Sequence, residues 1–188
     1  NRGSEVQIFP SRQKKYLTYI PFIVYIVITY IGKYMQTFLP YKSFKQSLQS
    51  LDYRRLGKQR VEAMQILNVL LGRTETKGWR NHPITRMWAG FENALKQYHN
   101  ECIDEWVSRG YNNTMKHEVI DGDILYPRWL GNDLLHSSHR ANLLRKDSEY
   151  YSKFYWTENS ENPYAWYDTD KRQWYLQHVG TGIREYII

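Results

Sequence analysis

The sequence predicts an all-α protein built as a single compact helical domain. Apolar residues recur at three- and four-residue spacing along most of the chain after Met35, as expected for helices with one buried face. Alternation with a period of two does not appear before the tail, where residues 174–188 could form strands. A chain of 188 residues with 41% hydrophobic content is long enough for one core. We therefore expect packed helices followed by an irregular aromatic C-terminal segment.

Local signals predict the first two helices. Ser43, with Gln46 three residues later, forms a capping-box pattern and predicts a short helix to about Ser50. A second, strongly helical segment is expected over residues 52–71 and ends at Gly72, and Asp52 is either its N-cap or a functional carboxylate. Its first half carries the densest positive charge of the chain, so its geometry decides where that charge is presented.

The remaining elements follow from proline, glycine and aspartate positions. Residues 83–110 predict one long helix, which begins at a proline and ends at a glycine. Residues 111–129 are expected to form a loop, and residues 132–144 another helix. A final helical turn is predicted over 147–154, with Asp147 as its cap. Cys102, the single cysteine, excludes an internal disulfide and a cysteine-based zinc site, and we expect it in the core.

The first 34 residues form an apolar and basic extension that we separate from the fold. Residues 16–32 carry no charge and are flanked by lysines. Three interpretations stay open, namely translation upstream of a true start at Met35, which we favour, a membrane anchor, and a cleaved signal. The predicted organisation is an extension at 1–34, a helical domain at 35–167 and a tail of unknown role at 168–188.

The positive charge is concentrated rather than spread. The net charge is +7, of which the first 34 residues carry +4 and the rest of the chain +3. Four cations fall within seven positions, Arg54, Arg55, Lys58 and Arg60. A local patch of this kind can engage a few phosphates of a nucleic acid.

Arg60 is a misfit within that patch because its spacing places it on the apolar face of the helix. A guanidinium is seldom buried without a partner, since desolvating it costs several kcal/mol. Two explanations stay open at this point. Arg60 either meets a buried carboxylate, or this end of the helix face opens onto an anionic ligand.

Histidines supply further candidate positions. His136 and His139 are three apart on a helix and could touch one metal ion, but no third ligand is identifiable, so we predict no metal site. A structural or phosphate-contacting role is favoured for both. His82 precedes a predicted helix N-terminus, where anions are favoured. Its alternative role is that of a helix cap with a solvated imidazole.

Glu62 and a cluster of aromatic residues around Pro163 each have a structural and a functional interpretation. Glu62 lies four residues after Lys58 and forms either a solvated helix pair or a carboxylate that assists proton transfer at a sugar. Aromatic residues surround Pro163, and they either stack on bases or dock onto the domain. These aromatics are Trp156, Tyr164, Trp166 and Tyr167.

Four segments in order resemble the pyrimidine-dimer DNA glycosylase family, of the phage endonuclease V type and closest to its bacterial and viral branch with an MQTFLP start. They are Met35-Gln36-Thr37-Phe38-Leu39-Pro40, Asp52-Tyr53-Arg54-Arg55-Leu56-Gly57-Lys58-Gln59-Arg60, Gly78-Trp79-Arg80-Asn81-His82-Pro83, and Trp129-Leu130-Gly131 with His136-Ser137-Ser138-His139-Arg140. The resemblance covers roughly residues 35–167.

The resemblance implies a monomeric DNA repair glycosylase with abasic-site lyase activity, acting on pyrimidine dimers in duplex DNA without metal or other cofactor. In this family the α-amine of the mature N-terminus attacks the sugar C1′ and forms an imine. The expected location is the cytoplasm, at the nucleoid, or a host cell if the protein is virus-encoded. The alternatives are a non-catalytic binder of distorted or damaged DNA, and a membrane-anchored helical protein if residues 16–32 are a real anchor.

The resemblance also implies the site residues, with two departures. Gln36 intervenes between Met35 and Thr37, and Arg55 stands where the family has its catalytic carboxylate. Glu62 is therefore our hypothesis for that carboxylate. The expected catalytic residues are Met35, Thr37 and Glu62, and the expected DNA-binding residues are Arg54, Arg55, Lys58, Arg60, Arg80, His82, His136, His139, Arg140 and Trp166.

Overall fold

The computed structural model describes residues 35–75 and 78–187. By its internal contacts the chain divides into Asn1–Met35 and Gln36–Ile188. The apolar segment 16–32 lies outside the described residues, so the predictions made for it stay as they are. Among the described helices, none has the length and apolar character needed to span a membrane.

The described residues form six α-helices, one 3-10 turn and three strands. The helices are α1 (Phe44–Ser50), α2 (Tyr53–Leu70), α3 (Pro83–Trp88), α4 (Glu92–Ser108), α5 (Asp133–Lys146) and α6 (Ser148–Tyr151). The 3-10 turn is Ser152–Phe154, and the strands are β1 (Tyr164–Asp168), β2 (Gln173–Gln177) and β3 (Arg184–Tyr186).

The first two helices confirm the sequence prediction in position and in capping. The Ser43 hydroxyl accepts a hydrogen bond from the backbone N–H of Gln46 at 3.3 Å, which opens α1. The Asp52 carboxylate accepts the N–H groups of Arg54 and Arg55 at 2.9 and 3.2 Å, which opens α2. Each cap satisfies donors that have no partner in the first turn of a helix.

The prediction of one helix over residues 83–110 is wrong, because two helices occupy this stretch. Ala89 turns the backbone out of the helix, and Gly90 follows with a φ of 84°. Glycine adopts positive φ without steric cost, so the break falls where a side chain is absent. The turn allows Trp88, at the end of α3, to pack beside Tyr98 of α4, with 6.4 Å between ring centroids.

The prediction of an all-α class is also wrong, because the chain ends in a three-stranded antiparallel sheet with strand order β1-β2-β3. The expected strands within 174–188 are present as β2 and β3. However, β1 comes from the segment interpreted as irregular, with Trp166 opposite Tyr175. Aromatic residues occupy both faces of this five-residue strand, so no alternation of polar and apolar residues marks it.

The sheet is tied to the helical part of the molecule through β1, which packs against α3 and α5. Ala165 and Trp166 of β1 are buried in this contact. The hairpin after β1 is fixed by Asp168, whose carboxylate accepts the N–H groups of Asp170 and Lys171 at 3.1 and 3.0 Å. The predicted tail, residues 168–188, therefore shares one sheet with residues that precede it.

Candidate active site

The segment 36–40 runs without helix or strand structure through the interior and is buried throughout. Its backbone is held by side chains of two helices. The N–H of Phe38 donates to Gln59 Oε1 of α2 at 2.8 Å, and the N–H of Leu39 donates to His139 Nδ1 of α5 at 2.8 Å. Arg140 Nη1 donates to the carbonyl of Pro40 at 2.8 Å. These bonds satisfy an irregular buried backbone, which would otherwise be costly.

Gln59 is the centre of a buried hydrogen-bond network. Its Oε1 accepts from the N–H of Phe38 and lies 2.8 Å from the Tyr98 hydroxyl, while its Nε2 donates to Glu62 Oε2 at 2.8 Å. Gln59 and Glu62 are three residues apart in α2 and therefore share one face of the helix. Through Gln59, the backbone of the segment 36–40 fixes the position of the Glu62 carboxyl.

Glu62 is a buried carboxyl with a strongly raised pKa. Only 3% of the residue is exposed, and burial raises the pKa from its ordinary value of 4.5 to about 7. Lys58, whose ammonium lies 3.2 Å from Glu62 Oε1, and the backbone N–H of Gln36 both act to lower this pKa. A group that titrates near neutral pH can both accept and donate a proton, as acid–base catalysis requires.

The two remaining predicted catalytic residues belong to the start of the buried segment. Thr37 is fully buried, and its hydroxyl accepts a hydrogen bond from the Trp88 indole at 3.1 Å. Met35 is 2% exposed. Between them, Gln36 has a buried side-chain Nε2 without a hydrogen-bond partner among the described residues. The indole bond gives Thr37 a positioning role, and the backbone N–H of Gln36 interacts with the Glu62 carboxylate.

Three predicted cations of α2 differ in their surroundings. Arg54 is exposed and donates to the hydroxyl of Tyr53, which raises the pKa of Arg54. Arg55 is half-buried between Asp52 and Asp147, at 3.1 and 3.4 Å. Lys58 pairs with Glu62 and keeps 49% of its side chain exposed. Lys58 therefore links the buried carboxyl to the surface of the protein.

Among the described residues Arg60 does not meet a buried carboxylate, the first of the two partners considered from the sequence. Its guanidinium lies 4.0 Å from the centre of the Trp106 ring, and its Nη1 donates to Asn113 Oδ1 at 2.8 Å. Desolvation lowers the pKa of Arg60. Gly57 leaves room for the indole, because a Cβ at that position would lie 2.9 Å from Trp106 Cζ3. Arg60 is therefore stabilised by a ring and an amide, and its contacts favour a structural role.

The predicted DNA-binding histidines of α5 are buried, and their contacts agree with the structural role that was one of the two considered for them. His136 Nδ1 donates to the carbonyl of Leu39 at 2.7 Å, and its Nε2 accepts from the N–H of Gly131 at 3.0 Å. Burial lowers the pKa of His139 to about 3, so the ring is neutral and accepts the N–H of Leu39. Both rings hold the buried segment in place.

The guanidinium of Arg140 likewise binds partners within the protein. Its Nε donates to Glu158 Oε1 at 2.6 Å, in addition to its contact with the carbonyl of Pro40. In the part of the chain that is described, no three His, Cys, Asp or Glu side chains lie together as a metal site would require.

The predicted residues Arg80, His82 and Trp166 belong to a second region, built by α3 and β1. His82 caps α3 as expected, since its Nδ1 accepts the N–H of Ile84 at 3.3 Å. Its ring is only partly exposed, because it packs between Trp79 and Trp166 at 5.5 and 6.0 Å. Burial lowers the pKa of His82 to about 4. Trp166 is 6% exposed, and only Arg80 presents its side chain to solvent.

Sequence reasoning missed Gln59, Tyr98 and Lys146. The importance of Gln59 could have been predicted, because Gln59 is a polar residue on the apolar face of α2. A buried polar side chain needs a hydrogen-bond partner, as was noted for Arg60. Tyr98 lies on the buried face of α4, and no local sequence signal marks the contact of its hydroxyl with Gln59. Lys146 follows Arg145 at the end of α5, where a basic residue is ordinary. Its place beside Glu62 depends on how α5 packs.

Comparison with known families finds that residues 35–119 match the family described as pyrimidine dimer DNA glycosylase. Neither the curated proteins nor the solved structures give a significant match. The resemblance found in the sequence is therefore confirmed for this segment, and the match supports a pyrimidine dimer DNA glycosylase function in general terms. The matched segment contains Gln36, Lys58, Gln59 and Glu62, and it ends before α5 begins.

Proposed function

We propose that this protein, with its pyrimidine dimer DNA glycosylase segment, excises dimers and cleaves the resulting abasic site through an imine on its N-terminal amine. The observation that carries the proposal is the meeting of Gln36 and Glu62. A buried carboxyl with a pKa of about 7 faces the backbone nitrogen of Gln36 at the start of the family segment. Duplex DNA containing pyrimidine dimers is the proposed substrate, and Glu62 is the proposed acid–base residue.

An α-amine at this point of the chain is well placed for the chemistry. In a protein whose first residue is Gln36, the nitrogen that faces Glu62 is itself the α-amine. In a protein that begins with Met35, the amine lies one residue earlier, about 3 Å along the backbone. An α-amino group has an ordinary pKa near 8, so a large fraction is neutral and nucleophilic at physiological pH. The ammonium of Lys58 beside Glu62 acts to lower the pKa of such an amine, while the ionised form of Glu62 acts to raise it and can accept its proton.

The proposed reaction has two stages, which are release of the base with formation of an imine and cleavage of the strand. The amine lone pair forms a bond to C1′ while the N-glycosidic bond breaks, and the departing base takes that electron pair and a proton. The nitrogen gives one proton to Glu62, and as the C1′–O4′ bond breaks a second proton passes from the nitrogen to O4′, which leaves an imine at C1′. Removal of a C2′ proton then expels the 3′ phosphate, and water hydrolyses the imine. Glu62 can accept the proton of the amine and exchange a proton at the sugar.

The test compares cleavage by matched variants that begin at Met35. The substrate is duplex DNA with one cyclobutane dimer. Glu62→Gln should lose at least about 100-fold in single-turnover cleavage, since general acid–base catalysis contributes about 10²–10⁴-fold. Glu105→Gln is the control, because Glu105 is a part-buried carboxylate paired with Arg109 at 2.7 Å on another helix. Full strand cleavage by Glu62→Gln would eliminate Glu62 as the catalytic carboxylate.

A second candidate function is the non-catalytic binding of distorted DNA. It is favoured if residues 1–34 remain attached, because the nitrogen of Met35 is then an amide and cannot form an imine. The exposed cations Arg54 and Lys58 would still contact phosphates. Salt-dependent binding of dimer-containing DNA without strand cleavage, by proteins with and without residues 1–34, would identify this function.

A further inference from the structure

Lys146 joins the Glu62 site from a different helix. It is the last residue of α5, and its ammonium lies 6.0 Å from the centre of the Phe38 ring. The backbone N–H of Phe38 bonds to Gln59, which bonds to Glu62. Arg55 Nη2 donates to the carbonyl of Lys146 at 3.1 Å. Contacts on both sides thus place Lys146 at the edge of the site where Lys58 emerges.

The carboxylates near Lys146 are already engaged by other cations. Glu62 pairs with Lys58, while Asp52 and Asp147 both pair with Arg55. The Lys146 ammonium has no hydrogen bond or ion pair with any described residue, although the residue is exposed. Lys146 therefore lies within electrostatic reach of Lys58 and Arg55, and of the three cations it is the one without an ion pair among the described residues.

Electrostatics agrees with this arrangement. Desolvation lowers the pKa of Lys146, and the charges of Lys58 and Arg55 lower it further. Like charges held close together disfavour one another, and an anion placed between them relieves the repulsion. Arg145, its neighbour in sequence, differs because its guanidinium donates to the carbonyls of Ser160 and Asn162.

We propose that Lys146 and Lys58 together hold one backbone phosphate of the bound DNA beside Glu62. This inference rests on the proposed function and adds a phosphodiester subsite to it. Two ammonium groups from separate helices can bind different oxygens of the same phosphate through charge-assisted hydrogen bonds. A phosphate held there fixes the attached sugar near the proton-transfer group, which reduces the entropy cost of reaction.

The test measures binding by the full chain and requires no chemistry. The ligand is a duplex containing one tetrahydrofuran abasic analogue, and its affinity is measured from 50 to 250 mM NaCl, a range chosen around physiological salt. Lys146→Gln should weaken binding about 5- to 10-fold at low salt and reduce the slope of log K against log salt by about 1. Lys146→Arg, which keeps the charge, should retain most of the affinity.

Two further variants make the test specific. Lys116→Gln removes the same charge from an exposed loop residue and should change affinity less than about twofold. Lys58→Gln combined with Lys146→Gln should weaken binding by less than the product of the single effects, because both lysines hold the same phosphate.

The possible failures can be separated. If Lys146→Gln has the affinity and salt slope of Lys116→Gln while the unchanged protein binds the duplex, the phosphate subsite is refuted and the proposed function stands. If the unchanged protein neither binds this duplex nor cleaves dimer-containing DNA, the proposed function itself fails. Fully additive effects of Lys58→Gln and Lys146→Gln would overturn the sharing of one phosphate.

Discussion

Replacing Glu62 with glutamine should stabilise the fold while it removes activity. The carboxyl is buried, and its ionised form is disfavoured because burial raises its pKa to about 7. Glutamine keeps the shape of the side chain and an oxygen that can accept the hydrogen bond from Gln59. It carries no charge to desolvate. Active sites commonly hold such unfavourable groups because the reaction needs them.

The size of the effect follows from the two pKa values. A carboxyl with a pKa of 4.5 when unfolded and about 7 when folded loses about 3 kcal/mol of stability once both states are ionised. Between these values the folded protein retains a proton that the unfolded chain has released, so stability falls as pH rises. The penalty is about 1 kcal/mol at pH 5 and about 3 kcal/mol at pH 8.

Urea unfolding at several pH values measures this penalty. The free energy of unfolding of Glu62→Gln, minus that of the unchanged protein, should grow by about 2 kcal/mol from pH 5 to pH 8 and then level off. The difference matters more than either value, because contributions of the buried histidines are common to both proteins. The attraction between Glu62 and Lys58 is already contained in the folded pKa of about 7, so it adds no separate pH dependence.

Parallel stability curves would refute the reasoning. If the difference between the two proteins stays constant from pH 5 to pH 8, the Glu62 carboxyl titrates at the same pH in the folded and unfolded states. It would then be ionised throughout the neutral range, and the assignment of Glu62 as a group that exchanges protons near pH 7 would lose its physical basis.

Three further changes test the packing around the site. Gly57→Ala should lower the free energy of unfolding by roughly 1 kcal/mol although alanine has the better helix propensity, because the new Cβ would approach the Trp106 ring to 2.9 Å. Unchanged stability in urea would show that the ring moves freely. Asp52→Ala should cost about 2–3 kcal/mol, since it removes the cap of α2 and the bond from the Tyr151 hydroxyl at 2.6 Å; a thermal-unfolding loss below about 1 kcal/mol would contradict this. His139 has a pKa of about 3 in the folded protein, against an ordinary 6.5, so the stability that its neutral ring provides is lost as pH falls from 6.5 to about 3. His139→Gln should therefore make the free energy of unfolding less dependent on pH in this range. An unchanged pH dependence would contradict this role of His139.

The sequence was informative where structure depends on neighbouring residues. The caps at Ser43 and Asp52 act within one helical turn, and both were predicted correctly. Gly90 was a local signal too, but the apolar pattern continues across it and suggested one helix, whereas the structure breaks there with a positive φ. Strand β1 has no local signal, because its partner is supplied by β2 and its faces by α3 and α5.

The same distinction applies to the candidate site. The spacing of Lys58 and Glu62 in α2 indicates that the two side chains meet, and they do so at 3.2 Å. The spacing does not reveal that Glu62 is buried, because burial comes from the segment 36–40 and from Tyr98, which is far away in sequence. The histidines of α5 show the converse. Their positions resemble a binding motif, but packing of the buried segment against α5 makes them internal.

Trapping of the covalent intermediate tests the central claim most directly. Protein beginning at Met35 is mixed with duplex DNA containing one cyclobutane dimer and treated with borohydride, and the adduct is located by mass spectrometry of its peptides. The account predicts one adduct on the α-amine of the first residue, Met35 or Gln36, and none with protein that retains residues 1–34. An adduct on a lysine side chain, or strand cleavage without any adduct, would contradict it.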